Sequence, residues 1–383
     1  MKKDSNWHQT DAHPMVARLE KWGRKLFYNI VSFGDTILNS SELSMVSPSP
    51  SLTSIQKLLL IKEPYRMGDL FQITPILRAL KTEFPHLKIG LVIQDRNVSV
   101  FKNNPYVDDL FLYKKREINH APWKIFNFLS QIRSKHYEMA VTLETERVHL
   151  TNDLIALLSK APIRIRYDGL YLGDSVSNAF YNLLIPFDQS LIHEVDKNYS
   201  VLKSLGLKLK DRSLQFTCSL LELEKAENTI KRIREKEGTP PNSKRVLIHP
   251  GSYKLENRWP LKNYIEVGNT LRKKGILVLF SLGPSEQEWK EEIDPYGFSI
   301  LTNLNLGETG AVMKSCDLVL SNDTGMMHLA SACGIKTIAL FGKTDPNRWK
   351  PPGENTIALQ SEDKNISSIK LEKVIETILE KFR

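Results

Sequence analysis

The tripeptide Asp-Thr-Gly at 323–325 directly follows the apolar run DLVLSN and precedes a short helical stretch that ends at Gly334. A strand that passes straight into a helix exposes the helix N-terminus, whose backbone N–H groups and positive dipole end can bind a diphosphate. Gly325 would allow a close approach to the backbone, Thr324 offers a hydroxyl donor, and His328 lies on the first turn. The alternative is that Asp323 only caps the helix and His328 is a packed surface residue.

A second candidate group is Gly68-Asp69, in KEPYRMGDLFQITPILRAL, between a strand-like apolar run and a helical stretch. Thr74 is placed to cap that helix, with Pro75 in its first turn. A carboxylate at this position could accept a proton from an attacking hydroxyl, which is the general-base step of a glycosyl transfer. A Gly-Asp pair is also a common turn, and that interpretation stays open.

A loop rich in glycine, serine and cations follows the apolar run RVLI, in HPGSYKLENRWP. Lys254 and Arg258 could neutralise the negative charge on a departing diphosphate, which is the largest electrostatic demand of such a reaction. Ser252 is a further candidate contact to the diphosphate or the sugar. The alternative is that these loop cations are only solvated.

The loop SLGPSE, at 281–286, also follows an apolar run. Gly283 and Glu286 are candidates for nucleotide recognition, because a carboxylate can accept hydrogen bonds from ribose or sugar hydroxyls. The acidic pair nearest to a metal-binding pattern, Asp108-Asp109, is interpreted as part of a loop. We therefore expect no metal ion in the reaction.

These candidates lie where strand-length apolar runs alternate with helical stretches. The runs are LLLI, KIGLVI, MAVTL and IRIRY in the first part of the chain, then RVLIHP, ILVLFSLG, DLVLSN and KTIALFG. This alternation predicts two successive α/β lobes with parallel sheets and a cleft between the carboxyl ends of their strands. A chain of 383 residues is long enough for two such domains.

Composition predicts two boundaries. The Ser/Pro-rich run SELSMVSPSPSLTS has the composition of a linker and ends an N-terminal extension at residues 1–55. The charged helical stretch LLELEKAENTIKRIREKEG closes the first lobe at 56–238, and the second lobe takes 239–383. The last helix of the chain is a candidate to pack back on the first lobe.

The charge and cysteine content limit the class of protein. The formal net charge of +9 indicates an anionic partner. The sequence contains no recognisable nucleic-acid-binding module, so we do not expect nucleic acid to be that partner. Three cysteines without a CxxC pair predict neither a disulfide framework nor a zinc site, as expected for a reducing cytoplasm. No stretch approaches the roughly 20 apolar residues that cross a bilayer, and we expect no signal peptide.

Several segments together resemble the bacterial heptosyltransferases, glycosyltransferase family 9. They are LLLIKEPYRMGDLFQITPILRALKTEFPHLKIGLVI, HEVDKNYSVLKSLGL, HPGS with RWP, and SNDTGMMHLASACGIKTIALFGKTDPNRWKPPG, in order over about residues 57–360. The resemblance implies the GT-B architecture of two Rossmann-like lobes. It implies that Asp69 is the catalytic base, that Glu286 recognises the nucleotide or sugar, and that the donor is gripped by Asp323, Thr324, Gly325 and His328.

One departure from the family pattern concerns the phosphate-neutralising lysine. The family usually has a lysine where this chain has Asn257, and Lys254 or Arg258 could take its place. The resemblance further implies an inverting, metal-independent transfer without a cofactor, from a nucleotide-sugar donor, typically ADP-heptose, to a lipid-linked or lipopolysaccharide-type acceptor. Two alternatives stay open, a non-catalytic sugar-nucleotide-binding protein and a nucleotide-sugar epimerase. A dehydrogenase is disfavoured because no GxGxxG follows a strand.

The extension carries a candidate membrane contact. Apolar residues at helical spacing around residues 15–31, with basic residues on the other faces, predict an amphipathic helix. Such a helix could lie on an anionic membrane or pack on its own protein. We expect a cytoplasmic protein that touches the cytoplasmic face of the inner membrane.

Overall fold

The computed structural model describes residues 51–382 apart from 64, 146–147, 169–170, 173–174 and 177–179. The helix expected around residues 15–31, and with it almost all of the predicted extension, lies outside these residues. The described end of the extension belongs to the first lobe, because Leu52 and Ile55 are buried in its core. Among the described residues, none of the helices combines the length and the apolar character that a membrane span requires.

The described residues of the first lobe form eight strands. They are β1 (Lys57–Ile61), β2 (Lys88–Gln94), β3 (Asp109–Tyr113), β4 (Met139–Thr142), β5 (Ile163–Tyr167), β6 (Tyr171–Leu172), β7 (Ser175–Val176) and β8 (Leu183–Ile185). Six of them form a parallel sheet in the order β3-β2-β1-β4-β5-β8, while β6 and β7 form a separate antiparallel pair. The helices are α1 (Met67–Phe71), α2 (Thr74–Glu83), α3 (Val98–Phe101), α4 (Lys115–His120), α5 (Lys124–Arg133), α6 (Leu150–Leu158) and α7 (Glu194–Lys203).

The second lobe repeats this plan. Its strands are β9 (Arg245–His249), β10 (Leu277–Leu282), β11 (Ser299–Thr302), β12 (Leu318–Asn322), β13 (Lys336–Phe341) and β14 (Thr356–Gln360), in the parallel order β11-β10-β9-β12-β13-β14. The remaining helices are α8 (Leu220–Lys236), α9 (Leu261–Lys273), α10 (Trp289–Ile293), α11 (Leu306–Lys314), α12 (Gly325–Ala332), α13 (Pro346–Trp349) and α14 (Leu371–Glu380). The predicted pair of parallel α/β lobes is confirmed.

The central strands are apolar throughout because both of their faces are covered. Leu58 and Leu60 of β1 pack in the same cluster as apolar residues of α2, whereas Leu59 and Ile61 pack in the cluster that contains residues of α5 and α6. A strand buried on both sides reads as a continuous apolar run, which explains why LLLI identified β1 in the sequence.

The two sheets have the same strand order, and each order reverses beside its first strand. In the first sheet β1 lies between β2 and β4, and in the second β9 lies between β10 and β12. The segments that leave the carboxyl ends of these strands diverge there and form a crevice, which is where open α/β sheets bind ligands. Asp69, the 249–260 loop and the Asp-Thr-Gly motif all follow such strands.

The second predicted boundary is wrong. Helix α8 was expected to close the first lobe, but it packs on α11 of the second lobe, where Ala226 and Ile230 share a buried cluster with residues of α11. A Cβ on Gly307 of α11 would overlap the side chain of Glu222, so the two helices touch closely. The chain therefore changes lobes before α8.

The last helix also stays with the second lobe. Val374 and Ile378 of α14 are buried in the cluster that contains Tyr264 and Leu271 of α9. The expectation that this helix packs back on the first lobe is therefore wrong for the described residues. Its apolar face is already satisfied within its own lobe.

Candidate active site

A cavity of about 590 Å³ lies between the two lobes at the carboxyl edges of their sheets. The structure brings seven of the ten candidate residues to its wall, which are Asp69, Ser252, Lys254, Asp323, Thr324, Gly325 and His328. Arg258, Gly283 and Glu286 are not among the residues that line it. Residues that were predicted to hold a donor and to activate an acceptor therefore share one cleft.

Asp69 is carried by a short helix, so the interpretation of Gly68-Asp69 as a turn is wrong. It is the third residue of α1, and its Oδ2 accepts a hydrogen bond of 3.0 Å from the backbone N–H of Arg66. Thr74 begins α2 but does not cap it, since its hydroxyl donates to the carbonyl of Phe71 and accepts from the N–H of Gln215. The Asp69 carboxylate is thus fixed at the cavity by its own helix.

Helices α1 and α12 bring the two lobes into direct contact through glycines. A Cβ on Gly68 would lie 2.9 Å from Cδ2 of His328, and a Cβ on Gly325 would overlap Cε of Met67. No ordinary side chain fits at either position without a shift of its neighbour. The face of Gly325 that the sequence assigned to the diphosphate is therefore occupied by Met67 of the other lobe.

His328 is buried, so the interpretation of it as a surface residue is wrong. Burial lowers the pKa of His328 to about 3, with a smaller contribution from His193. The amide nitrogen of Gln72 lies 3.3 Å from Nδ1 of this neutral ring. An amide N–H that donates to Nδ1 leaves the ring proton on Nε2, so His328 can offer a neutral hydrogen-bond donor to a ligand in the cavity.

The helix cap of α12 is Thr324 rather than Asp323. The Thr324 hydroxyl accepts a hydrogen bond from the N–H of Met326, so the interpretation of Asp323 as the cap is wrong. Asp323 instead accepts a hydrogen bond of 2.6 Å from the Thr344 hydroxyl at Oδ2. Burial raises the pKa of this carboxyl, while Thr344 and the nearby Lys254 charge act in the opposite direction.

The two loop cations have different environments. Lys254 lines the cavity, and its ammonium has no hydrogen-bond or ion-pair partner among the described residues. The Arg258 guanidinium instead donates to the carbonyl of Ser252 at 2.7 Å and lies over the ring of Trp289. Arg258 therefore holds its own loop in shape. It does not line the cavity, although the sequence analysis predicted that it contacts the diphosphate there.

The predicted nucleotide-recognition pair is packed inside the second lobe. Glu286 is buried, and its carboxylate occupies the space where a Cβ on Gly251 or on Gly283 would lie. Its Oε1 also accepts from the Ser285 hydroxyl and lies 4.0 Å from the Arg258 guanidinium. In this structure the pair joins the loops after β9 and β10 and does not line the cavity.

An ion pair between the lobes was missed in the sequence. The Arg348 guanidinium contacts Oε1 of Glu194 at 2.7 and 2.8 Å, and the Thr145 hydroxyl donates to Oε2. Burial acts to raise the pKa of Glu194, but the Thr145 hydrogen bond and the positive charges of Arg348 and Lys197 hold it below its ordinary value. Both partners lie in segments that resembled the family, but nothing in their spacing indicated that they meet.

A second missed group lies on the first-lobe wall. The Nδ1 atom of His149 is 3.0 Å from Oε1 of the buried Glu144, and the same oxygen accepts from the backbone N–H of His149. The His149 ring lines the cavity and contacts the ring of Tyr65 edge to face. Glu144 therefore fixes the orientation of an imidazole beside the proposed acceptor side of the cleft.

The acidic pair Asp108-Asp109 lies at the start of a strand. Asp108 and Asp109 do not form the loop that was expected, because Asp109 begins β3 and Asp108 pairs with Lys81 and Lys88. In the part of the chain that the structure describes, no group of three or more histidine, cysteine, aspartate or glutamate side chains is arranged to hold a metal ion.

Several known proteins are similar to this chain over most of its length. Residues 125–378, about two thirds of the chain, match the profile of glycosyltransferase family 9 (heptosyltransferase). Lipopolysaccharide heptosyltransferase 3 of Escherichia coli is 24% identical over 306 residues, which are 77% of this chain and 86% of that relative.

Two solved structures show the same fold. The family 9 glycosyl transferase of Veillonella parvula has a TM-score of 0.74 at 21% identity, over 85% of this chain and 97% of that one. The Escherichia coli heptosyltransferase WaaC with ADP-2-deoxy-2-fluoro heptose has a TM-score of 0.66 at 18% identity, over 85% and 99%. The GT-B architecture predicted from the sequence is confirmed. With the family profile matched over most of its length, the chain belongs to glycosyltransferase family 9, the heptosyltransferase family, and is a glycosyltransferase.

Proposed function

We propose that the enzyme transfers a heptose from ADP-heptose to a hydroxyl group of a lipopolysaccharide-core acceptor, with inversion at the anomeric carbon. The observation that carries the proposal is the shared cavity, in which Asp69 of the first lobe faces the α12 N-terminus of the second. A proton acceptor on one wall and an anion-binding helix end on the other suit a displacement at a carbon between them. The names of the similar Escherichia coli proteins support heptose as the sugar.

In the proposed reaction the acceptor hydroxyl lies against Asp69. The carboxylate removes the hydroxyl proton as the oxygen attacks the anomeric carbon of the donor. The new glycosidic C–O bond forms on the face opposite the old C–O bond to the diphosphate, which breaks with both electrons going to the leaving ADP. One proton passes to Asp69, and the products are the glycosylated acceptor and ADP.

The second lobe supplies the groups that stabilise the leaving diphosphate. The α12 N-terminus presents the positive end of the helix dipole at the cavity wall, while the N–H groups of Met326 and Met327 are already bonded to Thr324. Lys254 adds a full positive charge, and a neutral His328 adds a donor without a further charge. Such fixed donors act most strongly in a cleft from which water is excluded.

Asn257 stands where the family usually has a lysine, and Lys254 is the cation that replaces it in this proposal. Asn257 and Lys254 both line the cavity, whereas Arg258 is engaged elsewhere. Lys254→Gln should therefore reduce turnover much more than Arg258→Gln reduces it, provided that both variants fold. Equal losses in the two variants would remove Lys254 from this role.

The proposed function is tested by incubating the purified protein with lipopolysaccharide-core acceptors of defined truncation and a panel of nucleotide sugars. We expect mass spectrometry to detect one added heptose with ADP-heptose, and little product with UDP-glucose or UDP-N-acetylglucosamine. NMR of the product should show inversion at the transferred anomeric carbon. Transfer of another sugar in preference to heptose, or retention at the anomeric carbon, would contradict the proposal.

A further inference from the structure

The first lobe exposes two large aromatic side chains beside a group of basic residues. Trp123 and Phe126, at the start of α5, are 69% and 71% exposed. Four exposed cations accompany them on α4, α5 and the residue before α4, namely Lys114, Lys115, Arg116 and Lys124. We propose that these six residues, the α4–α5 patch, dock the enzyme on the surface of an anionic lipid bilayer.

The aromatic residues of the patch are not needed for the core. Helix α5 buries its other face, through Phe128, Leu129 and Ile132, in the first lobe. Trp123 and Phe126 are three residues apart, so they lie on the same side of the helix. Their exposure therefore leaves two large apolar side chains on one side of the helix that folding alone does not explain.

The charge around the aromatics selects an anionic partner. Between residues 114 and 126 there are four basic residues and one acidic residue, Glu117. Glu117 is paired with Lys114 at 3.1 Å and with Lys124 at 2.9 Å, which leaves the positive charges of Lys115 and Arg116 uncompensated by it. Aromatic rings bordered by lysine and arginine are typical of surfaces that sit in the headgroup region of a membrane.

Two other occupants fit this charge poorly. A second copy of the chain in a symmetric dimer would bring the same basic groups together across the interface. The N-terminal extension is itself basic, with six lysine and arginine residues against three acidic ones in residues 1–30. Like charges would repel either occupant, whereas an anionic lipid surface attracts the basic residues of the patch.

The patch belongs to the same lobe as Asp69. Helix α4 follows β3 directly and so starts at the carboxyl edge of the first sheet. Burial raises the pKa of Glu63, just after β1, to about 7, and the positive charge of Lys115 acts against this rise. If the proposed lipopolysaccharide acceptor is correct, docking through the patch would hold the acceptor half of the cleft near the membrane. Docking itself does not depend on that acceptor.

The test uses the full-length protein and vesicles that contain neither donor nor acceptor, so it is independent of the proposed reaction. Sedimentation with vesicles of phosphatidylethanolamine and phosphatidylglycerol is compared with vesicles of phosphatidylcholine. We expect binding to the anionic vesicles to exceed binding to the neutral ones and to fall with salt. We expect Trp123→Ser with Phe126→Ser to reduce the anionic partition coefficient by about tenfold or more.

Matched control variants remove exposed apolar or basic side chains outside the patch. Leu220 and Leu221, on α8, are also strongly exposed, so Leu220→Ser with Leu221→Ser removes apolar surface without touching the patch. Lys114→Gln with Arg116→Gln should weaken binding in low salt, whereas Lys231→Gln with Arg232→Gln on α8 should have little effect. Each variant should retain the wild-type melting temperature and the wild-type rate on a soluble acceptor fragment.

A second readout reports the depth of a single side chain. Trp123→Phe keeps an aromatic residue at the position, so it should bind vesicles nearly as well but lose part of the tryptophan quenching by brominated lipid. Unchanged vesicle binding by the Trp123→Ser, Phe126→Ser variant would overturn the proposal, and so would equal loss in the Leu220, Leu221 control. Loss of single-stranded oligonucleotide binding with vesicle binding intact would instead identify a nucleic-acid surface.

Discussion

The imidazole ring of His328 lies against Cα of Gly68, so that a Cβ on Gly68 would come within 2.9 Å of Cδ2 of His328. This contact joins the helix that carries the proposed base to the helix that carries the proposed diphosphate site. Asp69 is the next residue after Gly68, and Thr324 and Gly325 begin the turn on which His328 lies. Any change in the Gly68–His328 contact should therefore alter the distance between the two halves of the site.

Gly68→Ala tests this contact. The added methyl group presses on a buried ring, and overpacking of this kind costs about 1 to 3 kcal/mol. We expect a lower melting temperature and a lower kcat, because α1 and α12 must separate. In a double-mutant cycle, Gly68→Ala should reduce the free energy of unfolding less in the His328→Ala background than in the wild type. If the cost is the same with and without His328, the two residues do not interact in this way.

Gly325→Val should destabilise the protein as well as weaken donor binding. The valine would meet Met67, and the removal of that side chain in Met67→Ala should relieve the clash. We therefore expect Gly325→Val to lower the melting temperature in the wild type and to lower it less in the Met67→Ala background. Thermal denaturation of the four proteins measures both effects. A wild-type melting curve for Gly325→Val would contradict the packing seen here.

The buried His328 should make stability depend on pH. Its pKa of about 3 in the folded protein lies below the value of roughly 6.5 expected in the unfolded chain. The unfolded state then binds more protons between these values, so this contribution to stability is complete above about pH 6.5 and is lost as the pH falls towards 3. Each pH unit inside that window costs at most about 1.4 kcal/mol.

The measurement compares wild type with His328→Gln by urea denaturation at pH 7.5 and pH 5. Glutamine does not titrate, so the wild type should lose about 1 to 2 kcal/mol more than the variant over this range. His193 and His249 also have lowered pKa values, but they are present in both proteins. The exposed His120→Gln serves as the control and should behave as the wild type. Parallel losses in wild type and His328→Gln would show that His328 is not held neutral.

Transfer should survive chelation. The proposal assigns the leaving diphosphate to the α12 N-terminus and Lys254, with no divalent ion. We expect full activity in an excess of EDTA, because no Mg²⁺ bound through carboxylates takes part in the proposed step. The control is a metal-dependent glycosyltransferase in the same buffer. Loss of activity that Mg²⁺ or Mn²⁺ restores would show that a metal takes part.

The sequence predicted the centre of each sheet better than its edges. Strands β1, β2, β4, β9, β10, β12 and β13 were visible as apolar runs because they are covered on both faces. Edge strands such as β3, with the sequence DLFLY, and β11, with SILT, are partly exposed and carry polar residues. Their pattern resembles that of a loop, and only pairing with a neighbouring strand identifies them.

Some residues of the candidate site could be predicted from the sequence and others could not. Asp69 and the Asp-Thr-Gly motif follow central strands, and the fold brings the ends of these strands together, so their meeting could be expected. The direction in which a loop side chain points could not be predicted. For this reason Arg258 and Glu286 were assigned to the cavity, although they pack beside it. The pairing of Glu194 with Arg348 joins two lobes and depends on tertiary structure alone.

The assignment of Asp69 as the base is tested by the effect of Asp69→Asn on single-turnover transfer and on donor binding, measured on the same preparation. Asparagine keeps the size of the side chain but cannot accept the hydroxyl proton, so turnover should fall by about 10² or more. Asp188→Asn, which changes an exposed carboxylate outside the cavity, should have no effect. Calorimetry should show a nearly unchanged dissociation constant for ADP-heptose with Asp69→Asn. A variant that turns over at nearly the wild-type rate, or that loses activity only because the donor no longer binds, would contradict the assignment of Asp69 as the base.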